Sequence, residues 1–188
     1  MANGFMTRRA TVSDADAIAR VRMVSWQAAY RGLMPDAVLD GMELDASAQR
    51  IRHRLNANAE AERANPAWST PKDHVCVQEN EVIGWSSFGP SRDHDHNRAQ
   101  TAELYAIYCL PEVFGQGIGH ALLGAVLEDV RAVEGYRVLT LWVLASNVRA
   151  IEFYTRHGFD ADGRTKTEII GERFEILEAR YSKIIAPR

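Results

Sequence analysis

One mixed α/β domain is what the sequence predicts, and three observations carry that prediction. The chain has 188 residues, 46% hydrophobic and 25% charged, which suits one full-sized core and leaves too little for two. Helical and strand-like patterns follow one another as strand, two helices, three strands, helix, strand, helix, two strands. A glycine-dense turn, Gly115-Gln116-Gly117-Ile118-Gly119, separates an aromatic strand pattern from a strongly amphipathic helix pattern.

Each element has its own signal. Thr7 to Ala10 reads as a short strand, and Thr11-Val12-Ser13-Asp14 offers a helix N-cap after it. Ile18, Val21, Arg22, Val24, Ser25 and Ala28 then form a helical stripe that carries Trp26 and Tyr30. Arg31-Gly32-Leu33-Met34-Pro35 stops that helix, because Gly and Pro break helical patterns. A mostly polar helix follows from about Asp45 to Arg63, and Asn65-Pro66 to Thr70-Pro71 reads as a loop within the domain. Val75 to Val77 and Val82 to Phe88 are strands joined by a hairpin turn at Glu79-Asn80-Glu81. Ser91 to Arg98 is a polar loop, and Thr101 to Leu110 is a long aromatic strand stopped by Pro111. From about Gly117 to Glu134, Ile118, Ala121, Leu122, Ala125, Val126 and Val130 bury one helical face. Arg137 to Leu144 is an apolar run suited to a central strand. Asn147 to His157 is a short helix ended by Gly158, and strands from Arg164 to Ile170 and Arg173 to Ser182 close the chain as a hairpin around Gly171.

Composition narrows the function. With 22 basic and 25 acidic side chains the formal charge is −3, which gives no global attraction to nucleic acid or an anionic membrane and weakly suits a cationic amine. No run of about 18 apolar residues predicts a membrane span. The start, Met1-Ala2-Asn3-Gly4-Phe5, lacks a signal-peptide pattern, and Met1 to Gly4 is expected to be a flexible lead-in. Cys76 and Cys109 lie in apolar strand patterns and read as free thiols in a reducing cytoplasm. Cys109 as a nucleophile finds no nearby His or Asn pattern to support it. His94, Asp95 and His96 bring metal-ligating types together, but adjacent polar loop residues are ordinarily solvated, so no metal is expected.

The glycine turn is the sharpest feature. Missing Cβ atoms let a ligand approach the backbone, and the first helical N–H groups lack intrahelical partners, which suits an anion such as pyrophosphate. A tight connection with no ligand would use the same residues. Spacing excludes the dinucleotide fingerprint, which needs Gly where His120 or Leu122 stands, and the Gly-Lys-Ser/Thr phosphate loop.

Glu103 to Glu112 with the Gly117-Ile118-Gly119 turn resembles the acetyl-CoA-binding motif of the GCN5-related N-acetyltransferases (GNAT). Leu141 to Tyr154, followed by Gly158-Phe159, is similar to that family's second motif, and Arg9 to Asp14 with Trp26, Tyr30, Arg31 and Gly32 looks like a bacterial small-molecule branch. The resemblance covers nearly the whole chain and implies the acyl-CoA N-acyltransferase fold, a largely antiparallel central sheet flanked by helices. It also implies acetyl transfer from acetyl-CoA to a primary amine by direct attack in a ternary complex. Tyr108, Cys109 and Leu110, with backbone N–H donors near Tyr108 and Leu110, are then expected along the cofactor arm. Gln116, Gly117, Ile118, Gly119 and His120 would hold the pyrophosphate. Asn147 has two compatible readings, a helix N-cap and a cofactor contact. Tyr154 aligns with the family's acid, both contacting cofactor and protonating the leaving thiolate, and Glu103 is the candidate base. Trp26, Tyr30, Trp85 and Phe88 are expected to wall the acceptor site, with Arg92 and Asp93 at its entrance. The sequence departs from the family at Phe114, where Gln or Arg is usual, so a side-chain contact to pyrophosphate is missing and weaker cofactor binding is expected. Alternative functions are a protein or peptide N-acetyltransferase and a silent acyl-CoA-binding sensor. A homodimer is a further expectation, with the closing hairpin and second helix as its candidate faces.

Overall fold

The computed structural model describes residues 4–64, 70–170 and 174–186. The first three residues of the expected lead-in, the 65–69 part of the expected loop and the hairpin tip at 171–173 lie outside the described residues.

Strand β1 (Phe5–Arg9) leads into a 3-10 turn at Val12–Asp14 and then helix α1 (Ala15–Tyr30). Asp14 anchors this entry. Both Arg8 guanidinium nitrogens donate to it at 2.8 Å, and the Thr11 N–H donates at 2.7 Å. The Arg8 hydrogen bonds hold its carboxyl below the usual carboxylate range. Pro35 ends the break after α1 as expected but also starts a short helix, α2 (Asp36–Asp40), that the pattern did not reveal. Proline cannot continue a helix, yet its fixed φ suits the first turn of the next one. Helix α3 (Leu44–Ala64) packs its Ala48, Ile51 and Leu55 against α1 and the sheet.

Strands β2 (Lys72–Gln78) and β3 (Glu81–Pro90) form a hairpin closed by Glu79 and Asn80, both at positive φ (49° and 68°). That pair of angles makes a two-residue turn whose twist matches the strands. Then come β4 (Thr101–Cys109), a 3-10 turn at Pro111–Val113, α4 (Ile118–Ala132) and β5 (Val138–Leu144). Helix α5 (Val148–Arg156) and strands β6 (Asp160–Ile170) and β7 (Phe174–Ile184) complete the chain. Strand β6 begins four residues earlier than the sequence suggested, across an irregularity between Ala161 and Thr165 that includes Gly163 at φ 84°.

The seven strands form one sheet in the order β1-β2-β3-β4-β5-β7-β6, antiparallel except at β4–β5. Alternation along β3 shows how helices cover its two faces. A Cβ at Gly84 would meet Ile118 and Leu122 of α4 at 2.8 and 3.0 Å, so glycine here lets that helix sit close. Trp85, one residue on, faces the opposite side and stacks on Tyr108, which in turn meets Trp26 of α1. Leu122, Leu123, Val126 and Val130 of α4 are fully buried. Each such side chain contributes about 1.5–3 kcal/mol of burial free energy. No helix among the described residues is long and apolar enough to cross a membrane.

Candidate active site

Strands β4 and β5 pair for only four positions, from Thr101↔Val138 to Leu104↔Leu141. Beyond that point β4 continues only against β3, and β5 only against β7, so a cleft opens between them. The Leu110 N–H donates to the Ile83 carbonyl at 2.9 Å. Antiparallel alternation then turns Tyr108 toward β3 as well, and leaves Ile107 and Cys109 with N–H and C=O toward the cleft. The Cys109 carbonyl, taking a 2.8 Å bond from the Ser25 hydroxyl outside β3, agrees with this phase. Near Tyr108 and Leu110, where backbone donors were expected, the N–H of Leu110 is thus taken by Ile83, and the N–H groups turned toward the cleft are those of Ile107 and Cys109. The Cys109 thiol is pushed up to about 11 by burial, which keeps it protonated and unsuited to nucleophilic attack.

At the mouth of the cleft lies the glycine turn. Gly115 and Gly117 take φ of 78° and 89°, a region open at little cost only to glycine, and a Cβ on either would meet nothing within 4 Å. The first helical bond of α4 runs from Ala121 N–H to the Gly117 carbonyl, at 2.9 Å. The N–H groups of Ile118, Gly119 and His120 have no intrahelical acceptor and stand at the positive end of the helix dipole. These donors and the open space over the glycines could accommodate a pyrophosphate. Gly119 also allows α5 to approach, since its Cβ would sit 3.4 Å from the Phe153 ring. Gln116 turns its amide back to the Glu112 carbonyl at 3.0 Å. His120 meets His157 at 2.9 Å, and His157 donates to the Phe153 carbonyl at 2.7 Å.

Phe114 is not without a cation. The Arg149 guanidinium of α5 lies over its ring at 4.0 Å, bringing from another element a charge such as an Arg at this position would supply. Asn147 caps α5 by accepting the Ala150 N–H at 3.1 Å, which leaves its Nδ2 as the donor it could offer a ligand.

A cavity of about 650 Å³ opens beside β4 between α1, α3 and the β6–β7 hairpin. Trp26, Tyr30, Trp85, Glu103 and Tyr108 line it together. The Trp26 indole donates to the Tyr108 hydroxyl at 2.7 Å. Tyr154 lies outside the cavity lining, in the core beside Phe153 and Phe159, yet close enough to Tyr30 and Tyr108 that the phenols oppose one another's ionisation. Burial, the larger effect, raises the Tyr154 phenol well above its ordinary value.

The expectation that Phe88 walls the acceptor site is corrected. Trp85 and Ser87 face the cavity, whereas Phe88 points to the other face of β3, fully buried and stacked on His74 at 5.3 Å. Glu103 is 1% exposed and both its oxygens accept from Arg92, at 2.8 Å from the N–H and 3.0 Å from Nε. Arg92 lines the cavity, but Asp93 turns to the Trp142 indole and to Arg180. Of His94, Asp95 and His96, the last two lie together with Asp93, and both aspartates pair with Arg180, which also reaches Asp162.

Glu178 of β7 escaped the sequence reading. It faces the cavity with its carboxylate 3.2 Å from Lys166, and burial raises its pKa. Its signal was there in the alternation Ile176, Glu178, Arg180 along one face of β7, two of them buried. Arg22, part of the α1 stripe in the sequence, and Arg50, on the helix read as mostly polar, also stand on the cavity wall.

A family model described as the acetyltransferase (GNAT) family matches residues 39–159. An uncharacterised N-acetyltransferase of Bacillus subtilis, YuaI, is 28% identical over 89% of this chain and 87% of its own. An L-methionine sulfoximine/L-methionine sulfone acetyltransferase of Pseudomonas aeruginosa is 31% identical over 50% of this chain and 52% of its own. Among solved structures, the PaiA N-acetyltransferase of Thermoplasma acidophilum in complex with coenzyme A superposes with a TM-score of 0.67 at 19% identity, covering 93% of this chain and 97% of that one.

Proposed function

The chain belongs to the acetyltransferase (GNAT) family and is an N-acetyltransferase with acetyl-CoA as acyl donor, and from that premise we propose that it acetylates the primary amine of a small molecule by direct attack in a ternary complex. The observation that carries this reading is the meeting of three features at one corner. The open amide edge of β4, the unpartnered N-terminus of α4 and the aromatic cavity all converge near Tyr108. A methionine sulfoximine acetyltransferase and mycothiol acetyltransferases among the relatives support a small acceptor.

Bound acetyl-CoA supplies the thioester carbonyl that a neutral amine attacks. In this reading Ile118, Gly119 and His120 hold the pyrophosphate through N–H groups, helped by Gly117, with Gln116 at the edge and Arg149 beside it. Ile107 and Cys109 offer N–H groups to the arm and to the carbonyl oxygen, where charge develops. Trp26, Tyr30 and Trp85 confine the acceptor. Tyr154 keeps its proton at neutral pH and gives it to the departing sulfur. Two carboxylates compete for the amine proton. Glu103, the candidate from sequence, has both oxygens committed to Arg92, so we assign it to positioning that arginine. Glu178, whose burial makes it more basic, takes the proton through water.

This reading keeps the protein in the cytoplasm with no nucleic-acid partner. The test is turnover with acetyl-CoA on two panels, small amines and amine-terminated peptides, read as CoA release and acetylated product by mass spectrometry. Product on small amines is expected. Product on peptides alone would overturn the small-molecule reading, and CoA binding without any product would favour a sensor.

A further inference from the structure

The charges on the cavity wall are not those of the whole chain. Six cationic side chains line it, Arg22, Arg50, Arg54, Arg92, Arg98 and Lys166, against three acids, Glu103, Glu168 and Glu178. Partners account for half of the cations. Arg54 is held by Asp73 through two bonds of 2.7 and 2.9 Å, Arg92 by Glu103, and Lys166 by both Glu168 and Glu178. Arg22, Arg50 and Arg98 have no carboxylate partner among the described residues. Arg22 reaches only the Ser47 hydroxyl, at 3.4 Å, and lies 5.9 Å from the centre of the Trp26 ring. Ser47, Arg50 and Arg54 follow at three- and four-residue spacing on α3, so they share one helix face, and all three line the cavity. Arg22 and Arg50 thus form a cationic wall on α1 and α3, while Glu178 stands on β7 across the cavity.

We propose that the acceptor is a small amine that also carries an oxyanion, an amino-acid-like molecule whose acidic group binds Arg22 and Arg50 while its amine faces Glu178. The proposal rests on the acetyl-transfer reading above and names its substrate class. Guanidinium groups pair with carboxylates and related oxyanions through two parallel hydrogen bonds, which fixes orientation as well as charge. A polycation would meet the same wall with repulsion.

The test uses the intact protein, acetyl-CoA and matched acceptors: a set of α-amino acids, their carboxamides, their decarboxylated amines, and spermidine. CoA release and product mass are followed. The amino acids are expected to exceed the amides and simple amines in kcat/KM by about 10- to 100-fold, the effect of a lost charge-assisted contact. Arg50→Gln and Arg22→Gln should each shrink that preference about 10-fold, mainly through a higher acceptor KM. Calorimetric CoA binding by each variant serves as the control for folding. Equal or faster turnover of spermidine or the decarboxylated amines would overturn the proposal and leave acetyl transfer standing. A preference that survives both substitutions would also overturn it. CoA binding without release on any amine would instead overturn acetyl transfer, and this assignment with it.

Discussion

At Tyr154 and Glu178 burial acts on two acids in the same direction but with opposite catalytic effect. A phenol raised above its ordinary value of about 10 stays a proton donor across the neutral range. A carboxylate raised above its ordinary value of about 4.3 becomes a better acceptor, but only once the pH has passed its own pKa. The sign follows for both. Activity should climb with pH through an acidic limb set by Glu178, above the usual carboxylate range, and should not fall through Tyr154 until the solution is strongly alkaline. Tyr154→Phe is expected to lower kcat by about 10–10³-fold with acetyl-CoA KM nearly unchanged. Glu178→Gln should lower kcat/KM by a similar factor and erase the acidic limb from the pH profile. Stopped-time CoA release from pH 5 to 10 checks both. Of these two proposed roles only that of Tyr154 was suggested by the sequence, because it sits in a motif with fixed spacing. Glu178 sits in a strand where its role depends on which face turns inward, and that is decided by packing.

Among the elements, those legible in the sequence have strong local codes. The α4 stripe, the Asn147 cap, the Gly158 stop and the glycine turn all specify geometry within a few residues. What the sequence hid depends on partners far along the chain. Phe88 and Trp85 are both strand aromatics, and only the pairing of β3 with β2 and β4 sends one to the core and the other to the cavity. The phase of the β4 amides likewise depends on register with Ile83, which decides which N–H groups turn toward the cleft. Arg149 reaches Phe114 only because α5 packs beside α4. The turn itself makes a sharp forecast. Gly117→Ala would force a Cβ into φ near 89°, at a cost of about 1–2 kcal/mol, and set a methyl in the open space over the turn. A lower melting temperature and an acetyl-CoA KM raised several-fold are expected, measured by thermal unfolding and initial rates. An unchanged KM would remove Gly117 from the cofactor site.

For the molecule as a whole, the net charge of −3 describes no part of the site. On the function proposed above the pyrophosphate is held by backbone N–H groups, which no tally of Lys and Arg includes, and the cavity beside β4 is lined by more cationic than acidic side chains. Total charge weakly suggests a cationic acceptor and the cavity lining has the opposite sign; the proposed substrate class follows the lining, since burial and distance weight each charge differently.

The short β4–β5 seam divides the sheet into two rafts, four strands and three, riveted at one end. Across the open end no main-chain bond ties them, so a ligand lying in the cleft would act as the missing rungs. Hydrogen–deuterium exchange should therefore show the cleft-facing amides of Ile107 and Cys109 exchanging faster than those of Tyr108 and Leu110 in the free protein, and slowing when coenzyme A is added. Protection that leaves the open halves unchanged would mean the ligand lies elsewhere. A cofactor bound in that cleft would then be part of the sheet's own mechanics, a removable strut that stiffens two halves when they must hold an amine and a thioester in line.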